Sequence, residues 1–156
     1  MMVIRAIRAT KDNTKPFGTL ACLKDYPSFS GPGWDCWMTE GFAANQKLKL
    51  HICQCNSIPP YQVVELKQSS GQNVIICPEE PILIMLAERC DSIHPQAKDV
   101  KVLILEPCEI LTVQPGVWYD VCRGIDHAIT YCVLSGSDPT LDNRASIEGG
   151  PIAVEV

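Results

Sequence analysis

Residues 110–114 alternate in a way only an extended chain can use. Leu111 and Val113 point one way and Ile110, Thr112 and Gln114 the other, the period of two of a strand with two different faces. Pro115-Gly116 then turns the chain: proline pre-sets φ at the second position of a tight turn and glycine accepts the positive φ that a type II turn needs at the third. Trp118 and Tyr119 emerge from this turn, and the last long strand is expected over residues 128–134. Side chains presented beside such a turn are well placed to line the mouth of a small β-barrel.

The rest of the chain repeats the theme. Residues 3–7 read as a short strand, a helical turn is expected before Pro16, and residues 17–20 open a new apolar segment. Residues 26–33 have the composition of a loop, and residues 34–40 read as an amphipathic strand. Over residues 47–54, Lys47, Lys49, His51 and Cys53 share one face while Leu48, Leu50, Ile52 and Gln54 share the other. Pro59-Pro60 ends that strand, and residues 61–67 form the next, with Tyr61, Val63, Glu65 and Lys67 on a common face. Residues 73–77 and 81–87 are apolar runs too short and too proline-bounded for helices, so they belong inside a sheet. Residues 91–99 are loop-like, the segment from Ser135 is turn-rich, and residues 151–156 are expected to add a final edge strand or to pair with another subunit. Many short strands with frequent turns and no long helix give an all-β sandwich or closed barrel.

At 156 residues the chain suits a single domain. No stretch approaches the roughly 18 consecutive apolar residues of a membrane span, and no long apolar region follows the early arginines, so a cytoplasmic protein without a membrane or secretory role is expected. A net charge of −5 with scattered Lys and Arg leaves no basic footprint for nucleic acid. The nine cysteines are odd in number and contain no Cys-x-x-Cys, which argues for reduced, mostly buried thiols over a disulfide framework or zinc ribbon. Cys53 and Cys55 beside His51 form the one cluster with any metal-ligand character; without a second half, no metal and no cofactor is expected.

Three short pieces carry a resemblance to a known family: Lys15-Pro16-Phe17-Gly18-Thr19-Leu20, Glu65-Leu66-Lys67 followed by Gln72, and Pro115-Gly116-Val117-Trp118. In their order and spacing the chain resembles the ureidoglycolate lyase family. That resemblance implies one cupin-like double-stranded β-barrel over residues 1–156 with little helix, a homodimer, and the cleavage of ureidoglycolate to glyoxylate and urea or action on a related small carboxylate. Two positions depart from the family. Tyr119 stands where a His usually follows the Trp, and Leu66-Lys67 stand where the acidic residue is usually followed by a basic residue and a His. A noncatalytic small-molecule binder on the same fold is therefore the alternative.

Releasing urea from a carbinolamide needs a base for the hydroxyl proton, an acid for the leaving nitrogen and a donor for the carboxylate. The candidates are Glu65 as base, Tyr119 or Asp120 as acid or orienting group, Lys67 as the carboxylate holder, and Gln72, Trp118 and His51 as further substrate contacts. Strand alternation puts Glu65 and Lys67 on one face, and the turn brings Trp118 and Tyr119 to a strand end, so Glu65, Lys67, Trp118 and Tyr119 are expected around one cavity. His94 reads as a surface residue, whereas His51 and His127 are candidates to line a pocket.

Overall fold

The computed structural model describes residues 1–22, 25–38, 47–90 and 92–156. In chain order the strands are β1 (Met2–Arg5), β2 (Ile7–Arg8), β3 (Gly18–Ala21), β4 (Phe29–Gly31), β5 (Trp34–Cys36), β6 (Lys49–Cys55), β7 (Tyr61–Val63), β8 (Glu65–Gln68) and β9 (Asn73–Ile76). They continue with β10 (Ile82–Ala87), β11 (Lys101–Leu105), β12 (Ile110–Val113), β13 (Trp118–Tyr119), β14 (Arg123–Gly124), β15 (Ile129–Ser135), β16 (Asn143–Ser146) and β17 (Ile152–Glu155). One four-residue helix, Lys11–Thr14, stands before β3, capped by the Thr10 hydroxyl accepting from the Asn13 amide. The molecule is all-β, as its turn-rich sequence requires.

Three sheets stack in layers. The middle one runs β16-β8-β13-β10-β11-β2, with β14 also on β10; a five-stranded sheet, β3-β12-β9-β15-β6, covers one face and a three-stranded sheet, β1-β17-β7, the other. Alternation along β10 shows why it reads as an unbroken apolar run: Ile82, Ile84 and Leu86 enter the core under the five-stranded sheet, and Leu83, Met85 and Ala87 enter the second core under the three-stranded sheet. Five of these six side chains are wholly buried, each worth about 1.5–3 kcal/mol by transfer arithmetic. Across the first core, Leu111 and Val113 of β12 lie opposite β10, while Ile110 and Thr112 face away from that core, as their alternation demands.

Several expected boundaries shift because the chain changes sheets in mid-run. The expected strand over residues 61–67 is two: β7 joins the three-stranded sheet and β8 the middle one, with the change at the exposed Val64. Tyr61 and Val63 are therefore core, and Glu65 is not on their face. Residues 3–7 split likewise between β1 and β2. The expected loop at 26–33 contains β4, which hairpins with β5; the rest of the expected strand at 34–40 ends outside the described residues. The final strand is not an edge awaiting another subunit: β17 pairs on one side with β1 and on the other with β7, and Ile152 is fully buried. No pairing among the described strands closes the sheets into a barrel. No helix among the described residues is long and apolar enough to cross a membrane.

Candidate functional site

The Pro115-Gly116 turn forms as its sequence dictates. The Gly116 φ is +83°, and the Val117 amide donates to the Gln114 carbonyl at 3.3 Å. The turn delivers β13 between β8 and β10, with Tyr119 opposite Lys67 and Trp118 opposite Gln68. Adjacent residues of a strand face opposite ways, and this separates the two aromatics. Trp118 packs into the core under the three-stranded sheet with Leu66, and Tyr119 turns towards the five-stranded sheet.

On the Tyr119 side is a cavity of about 90 Å³ lined by His51, Cys53, Lys67, Tyr119, Asp120 and Cys122, with Ile75, Val121, Tyr131, Val133, Ser135 and Pro139. The Lys67 ammonium stands 4.7 Å from the centre of the Tyr119 ring, a cation–π contact that directs a flexible side chain. Among the described residues Lys67 has no acidic partner. The Tyr119 hydroxyl donates to Asp142 Oδ2 at 2.7 Å and accepts from the buried Asn73 amide at 3.3 Å. Burial, then the bond to Asp142, push this phenol far above its ordinary range, so it stays protonated.

His51 reaches the cavity from β6, opposite Val133 of β15. Its Nε2 is buried and, among the described residues, has no hydrogen-bond partner, a costly state for a polar atom unless something else occupies the space beside it. Asp120 is held in an ion pair with Arg123 at 2.6 Å, and that guanidinium also lies over the Tyr61 ring at 5.3 Å. Burial pushes the Cys122 thiol far up and raises that of Cys77, in the same core, to about 12, so neither of these two is a ready nucleophile. Tyr131, also raised by burial, accepts from the Cys122 amide at 2.9 Å and closes the floor. Among the described residues no three His, Cys, Asp or Glu side chains form a group that could hold a metal.

The structure gathers His51, Lys67, Tyr119 and Asp120 and leaves the other candidates elsewhere. Glu65 is half exposed and pairs with Arg144 at 3.0 Å across the β8–β16 edge, outside the cavity. Trp118, only 1% exposed, lies on the far side of the middle sheet. The expected cavity shared by Glu65, Lys67, Trp118 and Tyr119 is thus corrected to Lys67 and Tyr119: Glu65 opens β8 and turns to Arg144 of the edge strand β16, and Trp118, adjacent to Tyr119 on β13, faces the other way. Gln72 donates to Gln114 at 3.1 Å at the turn end of the sheets. His127 is exposed between Glu80 and Asp126, and His94 is exposed with its Nδ1 near the Ser146 carbonyl.

Asn73 and Asp142 complete the site and were not singled out from the sequence. Asn73 had a signal: it shares the inward face of its strand with Ile75 and Cys77, and a buried amide there needs a partner. Asp142 sits among turn formers and had none. No protein-family model matches the chain, and none of the curated proteins does.

Proposed function

We propose that this cavity binds a small polar carboxylate and releases urea from a carbinolamide of the ureidoglycolate type, on a cupin-like framework. The observation that carries the reading is the pairing, at one small cavity, of an ammonium and a buried imidazole nitrogen that find, among the described residues, no acidic partner and no hydrogen bond respectively. Lys67 holds the carboxylate. Imidazole is the side chain best suited to move protons near neutral pH, so His51 takes over the role first expected of Glu65. It accepts the hydroxyl proton as the carbinol carbon forms its carbonyl and the C–N bond breaks, then returns that proton to the departing urea nitrogen. The apolar walls from Ile75, Val121 and Val133 lower the polarity around both groups and so strengthen both contacts. The reading calls for no metal or organic cofactor and suits a cytoplasmic enzyme.

A second reading, a noncatalytic binder, draws on the commitment of the other polar groups. Tyr119 is tied to Asp142 and Asn73, and Asp120 to Arg123, so one imidazole carries all the proton traffic. Glyoxylate release from ureidoglycolate, measured beside calorimetric binding of glyoxylate, separates the readings. Turnover that His51→Gln abolishes supports the enzyme. Binding of glyoxylate without turnover supports the binder, and absence of both refutes the site.

A further inference from the structure

Strand β13 has a second side. Where Tyr119 turns to the cavity described above, Trp118 turns to the other face of the middle sheet, and there a groove of about 570 Å³ opens beside the Pro115-Gly116 turn. Its volume falls within the roughly 300–1,000 Å³ of small-molecule sites, and among the described residues no acidic side chain lines it, in a chain whose net charge is −5. One cation does. Alternation along β10 sends Leu83, Met85 and Ala87 to this face, and Arg89, two residues beyond the end of the strand, stands next in that series and lines the groove.

Gly116 lets Arg89 lie there. A Cβ at residue 116 would stand 3.0 Å from Arg89 Cδ and 3.4 Å from its Cγ, so the bare glycine leaves room for the arginine stem to cross the turn, which Gln68 holds by donating to the Gly116 carbonyl at 2.7 Å. The guanidinium meets no carboxylate among the described residues. The groove also holds a donor without an acceptor. Trp118 lines it and is 1% exposed, and its Nε1 is buried with no hydrogen-bond partner among the described residues, a costly state for a group that can only donate. Ser70 and Asn143, exposed at the rim, add side-chain donors that are likewise unpaired among the described residues.

We infer that this groove is a second ligand site, taking a small molecule that carries an oxyanion, phosphate or carboxylate, held in the fork of Arg89 with one oxygen accepting from the Trp118 indole N–H. The chemistry follows from the donors. A guanidinium and an indole N–H can only donate, and the first needs a counter-charge as well, so the group that satisfies both is an acceptor of negative charge. The planar guanidinium presents parallel N–H bonds that match two oxygens of one such group. The site stands apart from the proposed chemistry, because β13 puts Trp118 and Tyr119 on opposite faces and Lys67 lies over Tyr119.

NMR of the three assigned indole N–H groups tests it on the full chain. Inorganic phosphate and malonate are titrated separately at an ionic strength held constant with chloride. The Trp118 signal is expected to shift and saturate with at least one of them while those of Trp34 and Trp37 stay in place, and the anion that saturates at the lower concentration says whether the ligand presents a phosphate or a carboxylate. Arg89→Gln, on an exposed residue, keeps much of the stem and removes the charge; it should weaken binding roughly tenfold or more, the effect of one lost charge-assisted hydrogen bond. Arg5→Gln, an equal loss of charge on β1 outside the groove, should bind as the wild type does. Lys67→Met should do the same, which separates this site from the cavity on the Tyr119 side. A Trp118 signal indifferent to both anions at tens of millimolar, a shift that survives Arg89→Gln, or one that Lys67→Met removes would each overturn the inference.

Discussion

Replacing Tyr119 with Phe separates the architecture of the cavity from its chemistry. The substitution removes one hydroxyl and keeps the ring beneath Lys67, so the cation–π contact survives. A hydrogen bond from a phenol to a carboxylate, here Asp142, contributes about 1.5–3 kcal/mol, and leaving the amide of Asn73, 2% exposed, without its acceptor costs about 1–3 kcal/mol. The two overlap, because Asp142 can turn to water and Asn73 cannot, so the expected loss is about 2–4 kcal/mol. For a chain of this size that lowers Tm by roughly 5–15 °C. Because burial and Asp142 hold the phenol protonated, it exchanges no proton near neutral pH, and turnover of the folded variant should stay within about threefold of wild type. Urea titration gives the stability and glyoxylate release the turnover. A variant of wild-type stability would refute the hydrogen-bond argument. A stable variant whose kcat falls by orders of magnitude would make the hydroxyl a reacting group and overturn the assignment of proton transfer to His51.

Lys67→Met should raise KM with kcat little changed, and His51→Gln should lower kcat with KM little changed; steady-state kinetics showing the reverse split would exchange the two roles. Burial raises the Glu109 carboxyl, but the hydrogen bonds from Arg8, one at 2.7 Å, from the Glu106 amide at 2.9 Å and from Cys22, with the Arg8 charge, together outweigh this and hold it below the ordinary value. The pair's contribution is therefore full above the unfolded carboxylate pKa of about 4.3 and is lost as pH falls through the depressed folded value. Glu109→Gln should cost about 2–3 kcal/mol at neutral pH, the low end for a buried pair because Arg8 is a third exposed, and less near pH 3; a deficit independent of pH would exclude the pair as its source. His127 is raised above 6.5 by Glu80 first and Asp126 second, so the contacts it makes as a cation are complete below 6.5 and fade as pH rises through the higher folded value. NMR titration of its ring protons should show that elevation and its loss in Glu80→Gln; a midpoint at or below 6.5 in the wild type would contradict it.

What the sequence revealed of this fold was local. Alternation over residues 110–114, the Pro115-Gly116 turn and the closed apolar run of β10 were legible because each is fixed by neighbours within a few residues. The change of sheet at Val64 left a trace that a single-strand reading passes over: in Tyr61-Gln62-Val63-Val64-Glu65-Leu66-Lys67 the apolar residues fall at 61 and 63 and then at 64 and 66, a change of phase, and there the Ile147 amide donates to the Val64 carbonyl while β16 and β17 claim the stretches on either side. The register bears on the site as well: Glu65 and Lys67 stay on one face of β8, but Glu65 lies at its start and pairs with Arg144, while Lys67, two residues further along, stands over Tyr119. His51 was legible as sharing a face with Lys49 and Cys53, but its value lies in an absence, a buried Nε2 with no bond, and only packing against β15 and the arrival of Tyr119 from 68 residues further along the chain create that absence. Side chains whose surroundings are set by their own strand can be read from it; one whose surroundings come from distant strands cannot, which is why the proposed base moved from Glu65, chosen by motif, to His51, chosen by environment.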